Sequence, residues 1–137
     1  TQRIAISNDD SMVFTADQTK PQLAVIDTAT NKVKAWVALP SVAYGTAATR
    51  DGRWLLVTLE KGVAVVDLRT LKVARTIDVP GAPQEILVAP NGAAAYVSCM
   101  RGTQAGQVAV IDLATWKVSA LIDAGVGADG LAWAAGS

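Results

Sequence analysis

The phrase AVIDTATNKV beginning at Ala24 returns as AVVDLRTLKV from Ala64 and as AVIDLATWKV from Ala109. A phrase repeated at a near-constant period constrains the fold more than any single residue does, because each copy is one supersecondary unit that needs its neighbours to bury a face. Asp27 and Asp67 lie 40 residues apart and Asp67 and Asp112 lie 45 apart. That period suits four-stranded propeller blades and not helical or leucine-rich repeats.

Extending the copies outward brings further segments into line: RIAISNDDSMVFTAD, GTAATRDGRWLLVTL and EILVAPNGAAAYVSC, with DGLAWAAGS opening a fourth unit. Each is a short apolar stretch, a turn and a second apolar stretch. The turns are Asn8-Asp9-Asp10, Arg50-Asp51-Gly52 and Pro90-Asn91-Gly92, with Ala135-Gly136-Ser137 in the fourth copy. Asp-Gly and Asn-Gly between β-forming runs are strong hairpin signals, since glycine accepts the positive φ a tight turn needs. Asp10 holds that slot in the first copy, which predicts a looser turn there. The repeated phrase itself reads as a second hairpin, with Asp27, Asp67 and Asp112 accepting turn amides and Thr30, Thr70 and Thr115 adding a hydroxyl. One identical carboxylate per unit points to a structural device and not to catalysis.

Four strands per unit joined by short connections make an antiparallel blade, ordered a to d from the channel outward. No segment carries capped 3.6-residue periodicity, so no helix is expected. The predicted class is all-β: a single partial β-propeller domain over residues 1–137, with blades at about 2–40, 44–80 and 84–124. One extra inner strand, within residues 129–137, starts a fourth blade.

Composition narrows the functions. Twelve basic residues balance twelve acidic ones and are spread along the hairpins, so nucleic acid is not an expected partner. No apolar run approaches the roughly 18 residues of a membrane-spanning helix. No charged-then-apolar leader follows Thr1, which suggests a processed or excised chain. The single cysteine, Cys99, has no intrachain partner and reads as a small buried hydrophobe. Histidine is absent, and with it go the commonest general base, the commonest metal ligand and any Ser-His-Asp triad within this chain. Gly125, Gly127 and Gly130 form a loose glycine cluster without the strand-to-helix context of a phosphate loop. No catalytic residue, metal site or cofactor is therefore predicted.

The third unit runs from a proline-led loop at Pro83 through a short strand and the Pro90-Asn91-Gly92 turn to Tyr96-Val97-Ser98 and the V-x-V-I-D-x-x-T-x-K-V phrase. It resembles the bacterial and archaeal YVTN β-propeller repeat. The first two copies depart from it, with Val13-Phe14-Thr15 and Leu55-Leu56-Val57-Thr58 in place of the Tyr-Val-Thr core. The resemblance implies a periplasmic, extracellular or cell-surface protein, acting as a binding scaffold or as the propeller portion of an oxidoreductase complex whose cofactor is carried elsewhere.

Three units are about half a ring. Open blade faces and strand edges promote association, so the expected partners are other propeller blades, from a homo-oligomer or from the remainder of a longer chain. A protein or small-molecule ligand is expected at one mouth of the channel. The loops entering the inner strands, residues 40–45, 80–85 and 125–130, offer Tyr44, Gln84, Glu85 and Asp129 as contact residues. The b-to-c loops at 17–22, 60–62 and 100–107 differ in length, and the longest adds Arg101 and Gln104.

Overall fold

A computed structural model describes residues 3–135 of the chain. Twelve strands form three separate four-stranded antiparallel sheets. Blade 1 holds β1 (Ile4–Ile6), β2 (Met12–Ala16), β3 (Gln22–Asp27) and β4 (Lys32–Ala38). Blade 2 holds β5 (Ala43–Ala48), β6 (Trp54–Leu59), β7 (Val63–Asp67) and β8 (Lys72–Ile77). Blade 3 holds β9 (Ala82–Val88), β10 (Ala94–Arg101), β11 (Gln104–Asp112) and β12 (Lys117–Val126). No helix occurs among the described residues.

Cross-strand pairing sets the equivalences. Ile6 opposes Val13, Ala48 opposes Leu55 and Val88 opposes Ala95, so Arg3, Gly45 and Glu85 share one position, as do Phe14, Leu56 and Tyr96. Because side chains alternate between faces, one face of each blade looks back to the preceding blade and the other looks forward. Phe14, Leu23 and Val25 of blade 1 meet Leu55, Val57 and Val66 of blade 2 in one core. Leu56, Val63 and Val65 on the opposite face of blade 2 meet Ile86, Val97 and Ile111 of blade 3 in a second core. Cys99 is fully buried in that second core, and burial pushes its thiol pKa up. Its side chain fills part of the core between blades 2 and 3.

The turns follow the residues that define them. Gly52 and Gly92 take φ of 71°, and their amides bond back to Thr49 and Ala89. Asp10 takes φ of 59° with its amide on the Ser7 carbonyl at 3.0 Å, so the first turn is no looser than the others. Aspartate tolerates the left-handed region better than most residues, and the neighbouring Asp9 braces this turn by accepting from Ser7 Oγ, Ser11 N and Ser11 Oγ.

In the c-to-d turns, Asp27 accepts from the amide and hydroxyl of Thr30, and Asp112 accepts from the amides of Ala114 and Thr115. The middle copy differs: Asp67 takes the amide and guanidinium of Arg69 where Thr70 was expected to serve. Each turn ends in a left-handed residue, Asn31, Leu71 or Trp116. Each is followed by a register shift between the c and d strands, opposite Val25/Ile26, Val65/Val66 and Val110/Ile111.

Two expectations need correction. The segment at 100–107 is not a long loop: β10 and β11 continue through it as a hairpin, with Arg101 opposite Gln104 across a turn at Gly102 and Thr103. The extra inner strand is also not formed, since residues 128–135 carry no strand. An inner strand is held by the b strand of its own blade, and this segment has no such neighbour among the described residues. The turn proposed at 135–137 runs outside the described residues.

Candidate functional site at the inner edge

The inner strands β1, β5 and β9 stand side by side, and their shared edge faces what is the channel of a closed ring. Arg3, just ahead of β1, reaches across blade 2 to blade 3. Its Nε lies 2.9 Å from Glu85 Oε2, and its other guanidinium edge pairs with the Asp129 carboxylate. The crossing depends on Gly45, which holds the same strand position between Arg3 and Glu85. A Cβ there meets the Gln84 carbonyl at 2.6 Å and Glu85 Oε1 at 3.3 Å, so any side chain collides with blade 3. The planar guanidinium presents its donors in a fork and suits a site with a carboxylate on each side.

A second device sets how successive units dock. Thr58 on β6 accepts from the Gly45 amide at 2.7 Å and donates to the Gln84 carbonyl of the next blade at 2.7 Å. Ser98, at the same position in blade 3, accepts from the Glu85 amide at 3.0 Å and donates to the Asp129 carbonyl. Asp129 therefore stands to blade 3 as Gln84 stands to blade 2. The segment after β12 lies where a fourth blade begins, without the ladder that makes it a strand. Trp133 packs on Tyr96 at 6.1 Å between ring centroids, and Ala128 lies against Gly106.

A cavity of about 430 Å³ lies beside this cluster, bounded by Ile4, Thr46, Ala48, Glu85, Ile86 and Leu131. Thr46 is 5% exposed, and its Oγ1 has no hydrogen-bond partner among the described residues. The inner strands also carry a free ladder edge here, so the cavity wall offers backbone amides and carbonyls together with the Thr46 hydroxyl and the polar side chains of Ser7, Asn8, Asp10, Arg50 and Glu85. Such a lining suits small polar ligands or ordered water. No group of three or more potential metal-ligating side chains occurs among the described residues.

Of the residues singled out from sequence, Glu85 and Asp129 are brought together, joined by Arg3. Tyr44 belongs to β5, and Gln84 and Glu85 belong to β9, not to the loops ahead of them. Gln84 contributes its carbonyl to the Thr58 latch, and its side-chain amide bonds within its own blade to the Ala82 carbonyl at 3.4 Å. Arg101 and Gln104 are exposed at the tip of the β10–β11 hairpin, and no hydrogen bond or ion pair among the described residues links them to the Arg3 cluster. Arg3 was missed because an arginine near a terminus carries no local motif; its alignment with Gly45 and Glu85 appears only once the strand register is known.

No family model matches the chain, and no curated protein matches it. Among solved structures it is similar to Kuenenia stuttgartiensis hydrazine synthase, with a TM-score of 0.84 and 30% sequence identity, covering 90% of this chain and 36% of that one. This chain thus spans little more than a third of the length of that protein. In all, 721 chains of solved structure match, so the fold by itself selects no activity. The described residues form an all-β arc of three β-propeller blades.

Proposed function

We propose that the chain is a non-catalytic scaffold that works with further propeller blades and holds a protein partner or small ligand at the channel mouth around Arg3, Glu85 and Asp129. The observation that carries this reading is the state of the two outer faces. The face of blade 1 that looks away from blade 2 presents Ile4, Ile6, Val33 and Trp36, each at least half exposed. The corresponding face of blade 2 is the one that packs on blade 1, through Leu55, Val57 and Val66. At the other end, Leu87, Tyr96, Val110 and Ile122 occupy positions whose blade 2 counterparts are buried against blade 3 or pack against it. Apolar surface of this extent marks an interaction site, and its chemistry is that of one blade meeting the next.

The resemblance to the YVTN repeat supports a periplasmic or cell-surface location. No helix among the described residues is long and apolar enough to cross a membrane. Light scattering at micromolar concentration tests the association: the chain should be oligomeric, and a monodisperse, well-folded monomer contradicts the reading. Deleting residues 130–137 should weaken assembly if that segment is exchanged between copies.

A second reading, the propeller portion of a periplasmic oxidoreductase complex, draws on the resemblance to the YVTN repeat and on the likeness to part of a longer chain named a synthase. The cofactor then belongs to another part of the complex. Visible absorption copurifying with the protein and its natural partners separates this reading from a colourless scaffold.

A further inference from the structure

The opposite end of the arc, where the a-to-b and c-to-d turns project, carries a groove of about 580 Å³ between blades 2 and 3. Arg50, Arg53, Trp54, Asn91, Leu113 and Trp116 are among the residues that bound it. Trp54 and Trp116 meet edge to face, with centroids 5.6 Å apart and rings at 74°. The Arg53 guanidinium lies over Trp54 at 4.6 Å, and that of Arg75 lies over Trp116 at 5.4 Å. Four of the six arginines of the chain, Arg50, Arg53, Arg69 and Arg75, belong to blade 2.

Stacking uses the face of a guanidinium and leaves its N–H donors, which lie in the plane, available at the edge. Arg69 is engaged by Asp67, but Arg50, Arg53 and Arg75 have no ion pair among the described residues. The nearby acids do not supply one. Asp51 accepts from Thr49 Oγ1 and the Arg53 amide, and Asp112 accepts from the amides of Ala114 and Thr115, so both are turned into their own hairpins.

From this arrangement we infer that the groove between blades 2 and 3 docks an acidic segment of a partner polypeptide, its carboxylates received by Arg53, Arg75 and Arg50. Flat two-oxygen acceptors match the exposed forks. The tryptophans hold the arginines in place and supply an apolar floor with Leu113. Single-stranded nucleic acid is disfavoured because it needs open aromatic faces for base stacking, and these two rings each carry an arginine. The groove shares only Arg50 with the cavity beside the Arg3 cluster, and Arg53 does not bound that cavity, so the inference stands whether or not the channel mouth binds anything.

Fluorescence anisotropy of a labelled oligoglutamate peptide with the whole chain tests it. Binding should weaken as salt is raised. The Arg53→Ala/Arg75→Ala variant should lose about tenfold or more in affinity, and Arg53→Lys/Arg75→Lys, which keeps the charge and removes the fork, should lose most of that as well. Lys61→Ala/Arg101→Ala on the opposite end should bind like the parent. No binding, unchanged binding by both arginine variants, or tighter binding of a labelled oligothymidylate that competes for the same variant-sensitive site would overturn the assignment. Circular dichroism and melting of each variant confirm that folded protein is compared.

Discussion

Blade 2 and its two neighbours are built from the same repeat, yet they live in different surroundings. Blade 2 is covered on both faces, and all five residues of β7 are buried. Blade 1 has one covered and one bare face, and the outer face of blade 3 meets only the segment after β12, through Trp133 on Tyr96. The d strands show the contrast most plainly. Val37 of blade 1 looks toward blade 2 and is 1% exposed, while its neighbour Trp36 looks away and is 54% exposed. Alternation in the sequence encodes two faces per strand, but only a neighbouring blade turns a face into core.

The sharpest way to test this contrast is by truncation. Leu55→Ala, at a fully buried site between blades 1 and 2, should cost about 2–5 kcal/mol, because a cavity forms in a packed interface. Ile6→Ala on the bare face of blade 1 should stay within about 1 kcal/mol. Urea denaturation compares the two. Equal losses would mean that the outer face of blade 1 is covered by something else under the conditions of measurement.

The latch residues give the next largest effect. Thr58→Val removes a fully buried hydroxyl and strands the Gly45 amide and the Gln84 carbonyl, at a cost of about 1–3 kcal/mol. Ser98→Ala should cost less, because the segment it holds at Asp129 is exposed and is anchored also by Arg3. A larger loss at Ser98 than at Thr58 would reverse the ranking of the two regions.

Acid should act on all three blades, since the turn carboxylates are shared. Hydrogen bonds from Ser7 and Ser11 lower Asp9 to about 2. The Thr30 amide and hydroxyl lower Asp27, the Arg69 side chain and amide lower Asp67, and the Thr115 and Ala114 amides lower Asp112. Their folded pKa values lie below the unfolded value near 3.8. The stabilisation is therefore fully present above that value and is lost as pH falls through the folded values. Thermal melts should show Tm flat at neutral pH and falling below about pH 4. A Tm that rises on acidification contradicts the turn geometry.

Much of this was legible in the sequence, for reasons that differ by element. Asp51-Gly52 and Asn91-Gly92 announced their turns because only a few residues accept positive φ. The three aspartates announced theirs because each stands ahead of a turn and accepts an amide two or three residues on. The left-handed Leu71 and Trp116 gave no such signal, since the turn imposes that conformation on residues which do not prefer it. The hairpin at Arg101 and Gln104 was hidden because a small turn among polar residues looks like a loop until its strands pair. The Trp54–Trp116 contact joins positions far apart in the chain, and only the stacking of blades brings them together.

The smallest expected change sharpens the account of the turns. Asp10→Gly should raise stability by about 1 kcal/mol or less, because glycine takes φ of 59° without steric cost. An increase in the urea midpoint checks it, and a decrease would mean that the Asp10 side chain contributes more than its backbone strain costs.

The central claim, that the outer faces of blades 1 and 3 are surfaces on which further blades dock, is tested most directly by amide hydrogen exchange of the intact chain over a range of protein concentrations. The account predicts that protection in β1–β4 and β9–β12 rises with concentration while that in β5–β8 stays constant. Exchange independent of concentration in every strand, or a rise confined to β5–β8, would contradict it.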